Sequence, residues 1–148
     1  MWDFTAWRYR KKLDEVVDTR RIAQEEETAV VYVAASALVE ALFDNVPEAR
    51  QRAARALGIS TNWEAQYGAA LALGLAGDAA QAEAIAEDLA KGFPEATLVQ
   101  FNYLPTIRAQ LALNRNDSKM AIEALHLALQ SGLRMCGVNV YDRKTSVL

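Results

Sequence analysis

Between Trp63 and Pro94 the chain reads WEAQYGAALALGLAGDAAQAEAIAEDLAKGFP, two amphipathic stretches separated by Gly77-Asp78 and closed by a proline. No other feature limits the fold as much. Glycine reaches the left-handed backbone region without steric cost, so Gly77 can end one helix while Asp78 accepts from the free amides at the start of the next. Small residues let the two helices approach, and Pro94 cannot continue the second one. The stretch reads as a helical hairpin with Trp63, Tyr67, Ala70, Leu71 and Leu73 on its first helix. Ala82, Ile85, Ala86 and Leu89 are buried on its second.

The flanking segments carry the same helical periodicity. Trp2, Ala6, Tyr9, Leu13 and Val16 recur at spacings that put them on one face of a first helix, from about Asp3 to Ala23. That face packs onto the next helix or, in the alternative reading, zips against a second copy of the chain. Glu25, Glu26 and Glu27 favour the start of a helix spanning Ala29 to Phe43, whose only polar stripe is Tyr32, Ser36 and Glu40. Such a helix belongs between neighbours. Asn45 and Pro47 predict the next start and Gly58 the next stop, with Ala49, Ala53, Ala56 and Leu57 inward. Thr61 or Asn62 caps the helix that begins at Trp63.

Thr97 to Gln100 has the form of a capping box opening a helix that reaches Asn114. Pro105 removes a backbone donor inside it, which predicts a kink near Phe101 to Leu104 or a restart at Leu104. A last helix is expected from Asp117 to Gln130, with Ala121, Leu125 and Leu129 inward and Gly132 ending it. This makes residues 1–132 one helical domain and leaves 133–148 as an irregular tail.

Composition agrees with an all-α chain. Glycine and proline number only seven and three, and the 52% hydrophobic content is enough for a core in a 148-residue domain. A net charge of -3 gives no cationic field, so no nucleic-acid partner is expected. The basic run Arg8 to Lys12 is offset by Asp14, Glu15 and Asp18. One cysteine, Cys136, can form neither an internal disulfide nor a cysteine zinc site, which fits a reducing, cytoplasmic setting. The Ala29 to Phe43 segment falls short of the roughly 20 apolar residues that span a bilayer, so no membrane association is expected. The first residues lack the apolar run of a secretory signal.

A repeat underlies the helices. Asp44-Asn45, Gly77-Asp78 and Asn116-Asp117 are each followed, four residues after the second member, by Ala49, Ala82 and Ala121. Asn45 and Asp78 lie 33 residues apart and Asp78 and Asp117 lie 39 apart, against a tetratricopeptide unit of roughly 34. Gly77, Ala82 and Pro94 stand where that family has its turn glycine, packing alanine and terminal proline, and the chain resembles the tetratricopeptide (TPR) family over most of its length. The words Gln66 to Leu73, Asp88 to Lys91 and Val99 to Thr106 are similar to the repeat region of bacterial serine/threonine protein kinases. No Gly-rich nucleotide loop, HRD or DFG sequence is present, so the resemblance implies a repeat region without kinase activity. It implies antiparallel helical hairpins, about seven helices in all, stacked as a short right-handed solenoid.

Few residues suggest chemistry. His126 is the only histidine, and one His with one Cys makes no catalytic triad or metal motif. Glu40, on a largely apolar helix, and Glu27 are the carboxylates that a hydrolase or metal-assisted reaction could use. A closed apolar pocket between the Val30 to Phe43 and Trp63 to Ala76 helices would instead suit a small ligand. No cofactor is implied. The stronger expectation, carried by the resemblance, is a non-catalytic module that binds a protein segment or itself. Its groove is lined by Tyr32, Ser36, Glu40, Gln66, Tyr67, Gln100, Tyr103, Arg108 and Gln110.

Overall fold

A computed structural model describes residues 8–16 and 26–135, and among them every regular element is helical. In chain order these are α1 over residues 8–16, α2 (Glu26–Leu42), α3 (Val46–Ile59), α4 (Trp63–Leu75) and α5 (Ala79–Gly92). A π-helical turn (Val99–Tyr103) then runs into α6 (Leu104–Asn114), and α7 (Ser118–Met135) follows. Trp2, Ala6, Glu25 and the segment after Met135 lie outside the described residues, as does the side chain of Glu27.

Three turns with one hydrogen-bond pattern organise the helices. Asp44, Gly77 and Asn116 have φ of 61°, 80° and 58°, in the left-handed region that Gly, Asn and Asp enter most readily. The amide of the residue after each reaches five residues back: Asn45 to the Glu40 carbonyl at 2.9 Å, Asp78 to Leu73 at 2.8 Å and Asp117 to Ala112 at 2.9 Å. These bonds satisfy carbonyls that a helix end would otherwise leave open. The carbonyls of Asn45, Asp78 and Asp117 then accept from Ala49, Ala82 and Ala121 at 2.9, 3.1 and 3.1 Å. All three alanines are buried. A side chain at that position must fit where two helices meet, and alanine fits.

The turns differ in one respect. Asp78 and Asp117 accept from the amides of Gln81 and Met120 and so cap their helices, whereas Asn45 makes no side-chain cap bond. Its amide group is used elsewhere, on Glu40.

Helices α2 and α3, α4 and α5, and α6 and α7 pack as hairpins, with α4 lying on both α2 and α3 and α6 on both α4 and α5. The main core runs through them and is rich in alanine: Ala37, Ala53, Ala69, Ala70, Ala82 and Ala86 surround Leu89, Leu104 and Ile107. Helices approach closely as a result. A Cβ added at Gly68 would stand 2.5 Å from the Cβ of Ala34, inside any real contact, whereas one at Gly58 would meet nothing. Gly58→Ala should therefore stabilise the chain by about 0.5–1 kcal/mol through backbone entropy. Gly68→Ala should force α2 and α4 apart at a cost of about 1–3 kcal/mol, only partly offset by the same entropy gain. Denaturant midpoints of the two variants should move in opposite directions; equal shifts would contradict the close approach.

Several sequence expectations need correction. Gly58 lies inside α3, which ends at Ile59, and Gly132 lies inside α7, which continues to Met135. Glycine ends a helix where a left-handed residue is needed, and neither position is one. Leu125 and Leu129 face outward, because Ala121 and Ala124 make the contact with Ala109 and Ala112 of α6. Gln100 does not close a capping box: its amide donates to the Phe93 carbonyl at 3.1 Å, while its backbone N–H reaches Ala96 at 2.9 Å. Pro105 stands at the restart that its ring predicts, for α6 begins at Leu104 directly after the π-helical turn. The turn before it widens so that the Leu104 amide reaches the Val99 carbonyl five residues back, giving room to a ring that cannot donate.

Candidate functional site

Glu40 is the most buried charged group described, 1% exposed. Both of its oxygens are engaged. Arg10 of α1 places Nε on one and Nη2 on the other, the second at 2.6 Å. Asn45 donates Nδ2 at 2.8 Å, and the Arg52 Nε lies 3.6 Å away. Arg52, itself buried on α3, forks onto Asp14 of α1 at 2.8 and 3.2 Å and donates Nε to Glu48 at 3.0 Å. Burial works against the Arg52 charge. The hydrogen bonds from Asp14 and Glu48 and the charges of Asp14 and Glu40 outweigh it and hold the guanidinium above its ordinary value.

This network ties α1 to the α2–α3 hairpin through two forked arginine–carboxylate pairs. Held by Arg10 and Asn45 and shielded from water, the Glu40 carboxylate is taken up by this network. Among the described residues no group of three or more His, Cys, Asp or Glu side chains could hold a metal ion. His126 is exposed on α7.

A second cluster joins α4 to the π-helical turn. Tyr67 and Tyr103 stack with ring centroids 4.0 Å apart and planes within 10°, and Trp63 meets Phe93 at 5.6 Å. Burial raises the Tyr67 phenol above its ordinary value, a hydrogen bond with Thr106 partly opposing it. Burial also raises Tyr103, reinforced by the charge of Glu64 and by Tyr67. A phenol raised in the folded state contributes stability that is complete below its unfolded value of about 10 and lost as pH climbs through the folded value. Urea midpoints should thus fall steeply above pH ~10, and Tyr67→Phe should flatten that fall. An unchanged alkaline slope in the variant would contradict this.

The closed pocket expected between α2 and α4 has no room at the Ala34–Gly68 approach. An open cavity of about 300 Å³ lies instead between α5 and α6, with Glu83, Glu87, Lys91 and Arg108 around a floor that includes Ala86 and Leu111. Its charges balance. Arg108 therefore lines the α5 side of α6, where no tyrosine joins it.

Of the other residues expected to line one groove, Tyr67 and Tyr103 come together, but Ser36 and Glu40 do not reach solvent. The Ser36 hydroxyl donates to the Val33 carbonyl at 2.7 Å within its own helix. Gln66 donates Nε2 to the Thr61 carbonyl at 2.6 Å, and its Oε1 is buried without a partner. Gln110 donates to Asn114 at 3.0 Å and rests its side chain over Gly74. Tyr32 is half-buried on α2.

Reading the sequence by polar residue types passed over Leu38 and Leu71. Each stands seven residues before its turn's Asn45 or Asp78, as Gln110 does before Asp117, and all three are half-buried. Asn114 was also passed over, although its Nδ2 donates to the Gly74 carbonyl at 2.7 Å and fastens α6 to α4. The repeat register along the leading helices is a signal for Leu38 and Leu71 but not for Asn114, whose equivalents are Leu42 and Leu75.

Of the face expected to form a dimer, Tyr9 is exposed and Leu13 and Val16 are half-buried. No described helix is long and apolar enough to cross a membrane. No protein-family model, curated protein or solved structure matches the chain.

Proposed function

We infer that this chain is a tetratricopeptide-like helical-repeat module whose work is to bind a protein segment. The recurrence of one turn three times carries the reading: a left-handed residue, a five-back amide bond, a helix-starting Asn or Asp and a buried alanine four residues on. Hairpins related in this way and packed each on the next form a short solenoid, and solenoids bind along the row of their leading helices. Here that row is α2, α4 and α6.

Leu38, Leu71 and Gln110 recur along the row, with Tyr32 and Gln66 on the same helices as the first two and Tyr103 in the π-helical turn that leads into α6. Half-buried apolar side chains offer pockets to a partner's side chains, and the amides suit its main chain. The single cysteine makes the cytoplasm the setting of this proposal.

Photo-crosslinking tests it. A benzophenone side chain placed at Leu38 or Leu71 should trap a protein partner in cell extract, while the same group at exposed Gln51 on α3 should not. Equal trapping at all three positions, or none at Leu38 and Leu71, would sink the groove.

A further inference from the structure

Counted back from Asn45, Asp78 and Asp117, the leading row can be compared position by position. Fourteen residues before these lie Val31, Glu64 and Tyr103, and eleven before lie Ala34, Tyr67 and Thr106. Residues three apart share a helix face, so each pair belongs to one side of its helix. Charge is scarce along this row: among the described side chains of α2, α4, the π-helical turn and α6, only Glu40, Glu64 and Arg108 are charged. Glu40 is buried against Arg10 and Asn45, and Arg108 lines the cavity on the α5 side. Glu64 is left as the one charge of the row among them.

Glu64 is exposed, and the hydrogen bond it accepts from the Asn62 amide is long, at 3.3 Å. Among the described residues no cation pairs with it. Its place in the first turn of α4 favours the ionised form. An aromatic surface stands beside it. Tyr67, three residues further along α4, holds the Tyr103 ring in a stack at 4.0 Å with planes within 10°, and Thr106 hydrogen-bonds the Tyr67 phenol. The stack occupies one face of the Tyr103 ring; because Tyr103 is only half-buried, part of that ring is left to solvent. Glu64 is close enough for its charge to act on the Tyr103 phenol.

A carboxylate without a cation, next to the electron-rich surface of a fixed aromatic ring, selects a cation. Arginine fits both groups. Its planar guanidinium stacks on a ring and forks onto a carboxylate, whereas a lysine ammonium offers no planar fork. An acidic side chain would be repelled, and a neutral one would leave Glu64 as unpaired as before. Leu71 stands seven residues beyond Glu64 on α4, about 10 Å along the helix, which is the reach of about three residues of extended chain.

We propose that the leading-helix groove takes a segment of a partner protein through an arginine, its guanidinium stacked on Tyr103 and forked onto Glu64, with an apolar residue about three positions away set against Leu71. The proposal rests on the binding reading above and gives that partner its chemistry. Short blocked peptides test it, in pools randomised except for a central arginine, citrulline or glutamate, passed over the immobilised full chain and measured by mass spectrometry. Citrulline has nearly the shape of arginine without its charge. The arginine pool should be retained at least about 10-fold better than either of the others.

Glu64→Gln should abolish that preference, Tyr103→Leu should reduce it, and Tyr103→Phe, which keeps the ring, should retain it. Glu87→Gln, exposed on α5 outside the groove, removes the same charge and should leave the preference intact. Circular dichroism of Glu64→Gln should match the unaltered chain, since the side chain is exposed. Three results overturn the proposal: no arginine preference in the unaltered chain, a preference that survives Glu64→Gln, or equal loss in Glu87→Gln. Trapping at Leu38 and Leu71 reports the groove itself. Trapping without an arginine preference overturns this inference alone, whereas no trapping overturns the groove with it.

Discussion

Glu40→Ala is expected to lower the stability of the folded chain by about 3–5 kcal/mol, the cost of breaking a buried ion pair from one side. The carboxylate accepts from Arg10 and Asn45 and lies against Arg52. Its removal takes the forked partner from the Arg10 guanidinium, which is half-buried, and the acceptor from the Asn45 amide. Arg52 would be less affected, because Asp14 and Glu48 still hold it.

Replacing both Glu40 and Arg10 with methionine should recover much of the loss, since two apolar side chains of similar volume leave no charge behind. Denaturant unfolding of the single and double variants measures both effects. A cost under about 1 kcal/mol for Glu40→Ala would mean that the network behaves like an exposed salt bridge and does not hold α1 in place.

Leu89→Ala should cost about 2–5 kcal/mol, because the side chain is fully buried and its neighbours can collapse only partly into the space it leaves. Leu89 lies on α5 in one cluster with Val99, Leu104 and Ile107 of the following helix, so the truncation weakens the joint between the second and third hairpins. In a linear stack the effect should fall on cooperativity as well as on the midpoint, with the hairpin beyond α5 unfolding ahead of the rest. Hydrogen exchange should then show protection lost first in α6 and α7. Leu113→Ala, at a half-exposed position, should change stability by less than about 0.5 kcal/mol in comparison. Similar losses in the two variants would contradict the burial described for Leu89.

The helices and their hairpin pairing were legible because they rest on local signals. Asn62 and Asp78 cap as their types predict, and Asp44, Gly77 and Asn116 take the left-handed turns. Ala49, Ala82 and Ala121 fall where the repeat puts them. Errors arose where a local signal had a competitor. Asn45 stands at a helix start, but its amide serves Glu40, because a buried carboxylate needs the donor more than an exposed helix end does. Leu125 and Leu129 look like core by type, yet the alanines beside them permit the closer contact and win the inward face.

What the sequence determined alone is the set of helices, the three turns between them and the register of the repeat, all matters of neighbours within about five residues of one another. Only the tertiary structure decided that Arg10 and Asp14, some 30 and 38 residues from Glu40 and Arg52, meet them in one buried network. It alone decided that the polar stripe of α2 turns inward and that one leucine face of α7 is left outside. Which side of a helix is covered depends on the elements packed against it. Periodicity marks a face; it does not say what will lie on it.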